Sequence, residues 1–236
     1  MDPQAFAELV RTRRSVRDFR PDPIPEELLE RVLADATWAP SWSNTQPYFV
    51  AVASGAQRDQ LERQLTHRYD TASAAVAAGL VGKAKLLVTR TGLPGGDFDT
   101  NLTYPDELQP HRRKTGFGLD NVLGIERADK QARSDQMRRN FEFFGAPTAI
   151  FIFVHEGLKE FAVLDAGILL QTLMLSAHAN GLATCAQGAL ATWPAPVRQA
   201  FDVPPKHKLI CGVSIGYASD HPVNEYNPGR RELPRP

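Results

Sequence analysis

"TAIFIFV", residues 148–154, carries no polar side chain after Thr148. A strand with one face in water alternates apolar and polar residues, whereas a short apolar run is covered on both faces. One such strand implies layers, with helices above and below a sheet. Just upstream, "NFEFFGAP" (140–147) closes a helical stretch expected over 119–144, since Gly145 can cap it and Pro147 cannot continue it. Just downstream, 159–180 reads as a long helix, apolar nearly all round and closed by Asn180 and Gly181. "YFVAVAS" (48–54) supplies another buried strand, "GLATCAQGAL" (181–190) an extended path, and "KLICGVSIGYA" (208–218) the last strand. In that last strand Leu209, Cys211, Val213 and Ile215 face one way. Ile210, Gly212, Ser214 and Gly216 face the other, a small-residue face that something can approach closely.

Further helices are expected over 2–12, with Asp2 as N-cap and Phe6, Leu9 and Val10 on one face; from Pro25 to before Pro40; over 56–82, weakened by Gly79 and Gly82; and over 194–201. The fold expected is α+β: a mixed central sheet of four or five strands with helices on both faces, in a single domain over 1–236. Residues 91–118, rich in Gly, Pro and Asp, read as an irregular insert or lid, and 222–236 as an extended C-terminal arm.

With 42% apolar residues in 236, the chain can bury one large core. Lys plus Arg equals Asp plus Glu at 27 each, so bulk charge attracts neither nucleic acid nor an anionic membrane, and local basic clusters answer to local anions. The start, "MDPQAFAELV", lacks the pattern of a secretory signal. Residues 166–183 are long enough to span a bilayer but carry Gln171, Ser176, His178 and Asn180, which suits a buried core helix better. Cys185 and Cys211 make no disulfide framework and no metal spacing, so reduced thiols and a cytoplasmic location are expected.

Several signatures are missing. There is no G-x-x-x-x-G-K-[ST], and "GFGLDN" at 116 fails as G-x-G-x-x-G at its sixth position. No H-E-x-x-H or Cys/His spacing favours a metal, and no G-x-S-x-G elbow favours a hydrolase. Two polar segments remain. "RRSVRDF" (13–19) crowds Arg13, Arg14 and Arg17 around Ser15, which suits a phosphate, although taken alone it is better explained as a solvated basic turn pairing with Asp18, Asp22 or Glu26. "PSWSNTQP" (40–47) brackets Ser, Asn and Gln between prolines just before a strand, as a ligand loop does, although taken alone an ordinary helix-to-strand turn explains it better.

Taken together these segments resemble the flavin-dependent nitroreductase family, whose "RRSxR" and "PSxxNxQPW" appear here as "RRSVR" and "PSWSNTQPY", with Tyr48 in place of the commoner Trp. The resemblance continues through "FFGAPTAIFIF" (143–153), "DAGILLQTLMLSAHANGLATCAQGAL" (165–190) and "IGYASDHPVNEYNPGRREL" (215–233). The insert with "YP" at 104 and "RRKTGFGLDNVLGIERAD" at 112 is similar to the nitrobenzoate-reductase-like branch. Residues 60–110 carry no resemblance.

The resemblance implies an intertwined homodimer with FMN held non-covalently at its interface. Arg13, Arg14 and Ser15 are expected at the phosphate and ribityl end. Arg17 is expected near N1 and the C2 carbonyl, where a fixed cation offsets the charge gained on reduction. Pro40, Ser41, Trp42, Asn44 and Gln46 are expected to reach the partner's cofactor, and Gln187 and the Gly188 N–H to lie beside N5. Arg230 completes the phosphate site, with Arg231 as the neighbouring alternative. Arg17 and Gly188 are thus the candidate catalytic residues. NADH or NADPH is the expected diffusing reductant in a ping-pong cycle, and a nitroaromatic or quinone the acceptor. Other reductive chemistry on the same scaffold (dehalogenation, enone reduction, flavin destruction) and a non-catalytic flavin-binding or redox-sensing module stay open as alternatives. Cys185, Cys211 and Met174 read as core filling, and His178 as a satisfied core histidine. "HRRK" (111–114) reads as a solvated patch, or alternatively as an attractor of an acidic substrate or the nicotinamide phosphate.

Overall fold

The apolar run at 148–154 lies in β2 (Thr148–His155), buried from Thr148 through Val154. Alternate side chains enter two cores. Ala149, Phe151 and Phe153 pack with Leu61 and Leu65 of α3 (Gly55–Ala77) and Val197 of α8 (Pro194–Ala200). Ile150, Ile152 and Val154 pack with Val32 of α2 (Glu26–Ala36) and Leu169 and Leu173 of α7 (Lys159–Ala179). The sheet is therefore the middle layer, as its uninterrupted apolarity requires.

This is a computed structural model, and it describes residues 2–90, 92–99 and 103–233. Parts of the expected insert and arm, residues 91, 100–102 and 234–236, lie outside the described residues. The described sheet runs β1–β2–β4–β3, with β1 at Tyr48–Ser54, β3 at Ala183–Gln187 and β4 at His207–Gly216. All three pairings are antiparallel, which corrects the expected mixed sheet. β2 and β3 do run parallel, joined across α7, but β4 slots between them and pairs with both, so no parallel ladder forms.

The alternation expected in β4 holds only in part. Ile152 sits opposite Cys211 and Phe153 opposite Leu209, leaving Ile210 as an extra residue in a β-bulge. The bulge turns Leu209 to the face of Phe153, while Cys211, Val213 and Ile215 keep the α7 face. The small-residue face is approached from within the chain: a Cβ on Gly212 would collide with Leu190, and Ser214 donates to Gln187.

α1 (Pro3–Thr12) begins at Asp2, whose side chain accepts the Gln4 N–H, yet it buries none of its residues. The stretch expected over 56–82 divides at Gly79, φ +64°, into α3 and α4 (Gly79–Thr89). Residues 109–118 of the expected irregular insert begin α5 (Gln109–Val122), and α6 (Lys130–Arg138) follows. Gly116, Gly118 and Pro110 weigh against a helix by propensity, but Pro110 occupies the first turn, where its missing N–H costs nothing. Glu156–Ala179 is long and apolar enough to cross a membrane by length and composition, and its inner face packs on this sheet.

Candidate active site

β3 is an edge strand, and the "RRSVRDF" segment lies along its outer side. The Val16 N–H donates to the Thr184 carbonyl at 3.0 Å, and Ser15 pairs with Thr184 in an isolated parallel bridge. Extended backbone sends alternate side chains to opposite sides. Val16 goes inward and is buried, while Arg13, Ser15 and Arg17 line a cavity of about 300 Å³ together with Arg14 and, from the arm, Tyr226 to Arg230. Arg13 to Arg17 spans roughly 13 Å at 3.3 Å per residue. Because the bridge is parallel, Arg17 lies nearer than Arg13 to the end of β3 where Gly188 follows.

The electrostatics of the cavity call for an anion. Burial, and after it the neighbouring Arg230 guanidinium, push the Arg13 pKa below its usual value, with Cys185 opposing. Among the described residues Arg13 forms no ion pair. Two fixed cations that destabilise each other are relieved by a phosphate between them. Arg14 is different, since it donates to Glu225 at 2.6 Å in an exposed pair. Arg17 donates through Nη1 to the Ser15 carbonyl at 3.1 Å and keeps its remaining donors for the cavity. Arg230 lines this cavity; Arg231 lines the adjoining one with His111 and Lys114.

Gln187 and Gly188 part company. The Gln187 side chain is 3% exposed, donates to the Asn140 carbonyl at 2.9 Å and accepts from Ser214, so it faces the interior. Only its backbone is left for a ligand. At Gly188 nothing lies within 4 Å of where a Cβ would stand, so a flat group can approach the backbone there.

The "PSWSN" loop is a strained, pinned structure. Ser43, Asn44 and Gln46 have φ of 50°, 55° and 47°, left-handed values that non-glycine residues seldom hold without support. Support comes from the Ser41 hydroxyl, which accepts the Gln46 N–H at 2.9 Å, and from Asp165 on α7, whose two oxygens accept the Trp42 N–H at 3.1 Å each. Trp42 leans on Phe161 with ring centroids 4.4 Å apart, and Pro40, Asn44 and Gln46 are exposed. The loop is not at the arginine cavity of its own chain. Asp165 marks its place on α7, while His178 near the other end meets Thr12 at 2.9 Å, and the helix rises roughly 20 Å between those residues.

A family model for "Nitroreductase family" matches residues 10–217. The chain belongs to the nitroreductase family. It is 32% identical over 222 residues to a 4-nitrobenzoate reductase of Nocardioides sp. (strain LMS-CY), covering 93% of this chain and 83% of that one. It is 35% identical over 217 residues to nitroreductase NfnB of Mycolicibacterium smegmatis, covering 92% and 84%. The crystal structure of the FMN-dependent NfnB from Mycobacterium smegmatis in complex with NADPH superposes with a TM-score of 0.82 at 34% identity, over 98% of this chain and 95% of that one. The FMN and NADPH-dependent NfnB from sphigopyxis sp. strain HMH gives 0.81 at 30% identity, over 96% and 95%.

In this nitroreductase-family chain the residues that hold the site together escaped the sequence reading. Asn224, buried at the root of the arm, accepts the Arg17 N–H at 2.8 Å and donates to the Asp18 carbonyl at 2.8 Å and the Ser219 carbonyl at 3.0 Å. Asp18 accepts from Ser219 and from Arg139. Nothing in the local pattern marks Asn224. Asp165 had a signal: it is the one acidic residue in "FAVLDAGILLQTLML" (161–175), and a carboxylate in so apolar a helix needs a donor. His178 is satisfied by Thr12, and burial with the nearby Arg13 holds its pKa down. Burial pushes the Cys185 thiol up to about 11 and the Cys211 thiol up to about 12, which leaves both protonated core residues. Among the described residues no cluster of His, Cys, Asp and Glu is arranged to hold a metal.

Proposed function

We propose that this chain is an FMN-dependent oxidoreductase that takes hydride from NADH or NADPH and passes electrons to a nitroaromatic or quinone-type acceptor, as a homodimer. One observation carries the reading: the order of groups along the β3 edge, from the facing cations Arg13 and Arg230, past Ser15, to Arg17 and then the open Gly188. That order matches a terminal monophosphate, a polyhydroxyl chain and a flat ring in sequence. FMN, when bound, supplies the redox chemistry. Arg13, Ser15 and Arg230 hold the phosphate, and Arg14 closes the cavity wall. Arg17 would present a fixed positive charge to the ring's pyrimidine edge, and the Gly188 backbone N–H would be offered to N5.

Two features of the single chain support the dimer. The loop of Pro40, Ser41, Trp42, Asn44 and Gln46 stands roughly 20 Å along α7 from its own arginine cavity, so it serves the partner's. Large apolar side chains also stand uncovered on the elements that flank both places: Trp38 is 87% exposed, and Phe6 and Val10 of α1 and Phe161 and Leu164 of α7 are exposed as well. A surface of this kind marks an interface. The partners are then a second copy of the chain and a small aromatic acceptor, and two free thiols, one buried and one half-buried, suit the cytoplasm.

The deciding experiment purifies the protein, denatures it and identifies what is released, then mixes the holoprotein with NADH or NADPH in a stopped-flow instrument before adding a panel of acceptors. Release of FMN and bleaching by a nicotinamide are expected. A colourless protein that FMN cannot reconstitute overturns the reading.

A further inference from the structure

The 111–114 patch has a destination that the flavin site does not use. The face of α5 carrying Leu108, His111 and Lys114 forms one wall of a groove of about 540 Å³, and Pro228, Arg230 and Arg231 of the arm form the other. Tyr226 fixes the width of this groove by donating to the Thr115 carbonyl at 3.2 Å. Among the described residues no acidic side chain lines it and none of its basic side chains is in an ion pair. Arg230 also lines the Arg13 cavity, so the two spaces adjoin. Lys114 and Arg231 are surplus to the first cavity, and Leu108 and Pro228 offer apolar surface beside them.

We propose that this groove binds the phosphorylated adenosine end of the dinucleotide reductant and thereby selects NADPH over NADH. The inference rests on the flavin-reductase reading above and adds the choice between the two reductants. The chemistry is one of difference. The two dinucleotides share their base, sugars and pyrophosphate, and only NADPH adds a 2′-phosphate, a group of charge about −1.5 to −2 near neutral pH. An ammonium and a guanidinium without carboxylate partners give that group charge-assisted hydrogen bonds that NADH cannot collect. Discrimination then appears in binding and not in the hydride step, because the groove lies at the phosphate end of the site, away from Gly188. An aromatic carboxylate acceptor is the lesser fit, since a single negative charge leaves most of the basic groups unanswered.

The test titrates adenosine 2′,5′-bisphosphate and adenosine 5′-monophosphate into wild-type protein and the exposed variants Lys114→Glu and Lys114→Arg, with the melting temperature as the control for folding. Wild type is expected to prefer the bisphosphate about tenfold or more, Lys114→Glu to lose the preference and Lys114→Arg to keep most of it. In stopped flow, Lys114→Glu should raise the NADPH dissociation constant about tenfold, leave NADH within about twofold and leave the limiting rate unchanged. Equal binding of the two nucleotides by wild type overturns the proposal. So does an NADPH constant that Lys114→Glu does not move, or an effect of that variant on a carboxylate acceptor instead. A protein that takes up no FMN would overturn the reading beneath; the nucleotide titration needs no flavin and still decides the groove.

Discussion

Asp165, 3% exposed on α7, accepts the Trp42 backbone N–H on both carboxylate oxygens at 3.1 Å, and so ties the core helix to a loop with three left-handed residues. Among the described residues it has no cationic partner. Its charge also bears on Tyr48, whose pKa is raised by burial first and by Asp165 second, keeping that phenol protonated.

Asp165→Ala is therefore expected to destabilise the fold by about 1.5–3 kcal/mol, the range for a hydrogen bond to a charged group. The released loop should also lower FMN retention, because the strained turn at Ser43 and Asn44 loses its anchor. Asp165→Asn, whose amide oxygen still accepts, should recover most of both. Denaturant melts and flavin content give the two readouts; an alanine variant as stable and as yellow as wild type would release Asp165 from this role.

A dimer is expected whose dissociation releases flavin, since Trp42 and Asn44 are proposed to serve the partner's cavity while Arg13 serves its own. Sedimentation across a dilution series, read at the flavin absorbance, tests the coupling. A monomer holding FMN tightly would refute the shared site and leave flavin binding intact.

Much of the layered fold was legible because it is written in local periodicity. The apolar run at 148–154 and the long helix after it fall where their patterns put them, as β2 and α7. What was not legible depends on register between distant segments. The bulge at Ile210 turns Leu209 to the opposite core, and no single strand's alternation reveals a residue that its partner skips. The insertion of β4 between β2 and β3 is likewise a choice among strand orders that leaves no trace in any one segment. In the candidate site, the arginines and the proline-bracketed loop each read as an ordinary turn when taken singly, and only their pairing in one chain, through the family resemblance, singled them out. Gln187 was expected beside the flavin by resemblance, yet its amide is tied to Asn140 and Ser214 in the interior.

Gly118 gives a prediction in which two effects oppose. In a helix interior Gly→Ala is favourable by about 1 kcal/mol. Here, however, a Cβ on Gly118 would collide with the Tyr226 ring and hydroxyl. Tyr226 carries the chain into Asn227 to Arg230, which wall the arginine cavity. Gly118→Ala should thus leave the melting temperature nearly unchanged while weakening FMN retention through a displaced Arg230. Matching FMN affinity in variant and wild type would show that the arm does not rely on this contact.

Arg13 and Arg17 make the sharpest contrast, because they lie on one side of one extended segment, yet their proposed roles demand different things of their charge. Arg13 faces Arg230 and is set against the phosphate, whose charge is the same in both redox states. Arg13→Leu should therefore release FMN while leaving the midpoint potential of the retained fraction almost where it was. Arg17 is set against the ring, which gains negative charge on reduction, so its charge favours one redox state over the other. Arg17→Leu should weaken oxidised FMN only modestly, lower the two-electron potential and slow reduction by the nicotinamide. A selective loss of about 1.4 kcal/mol corresponds to about 30 mV for a two-electron couple, within reach of spectroelectrochemical titration. Equal potentials in wild type and Arg17→Leu would remove Arg17 from the redox role. An Arg13→Leu variant that keeps its flavin would undo the assignment of the phosphate to the Arg13–Arg230 pair.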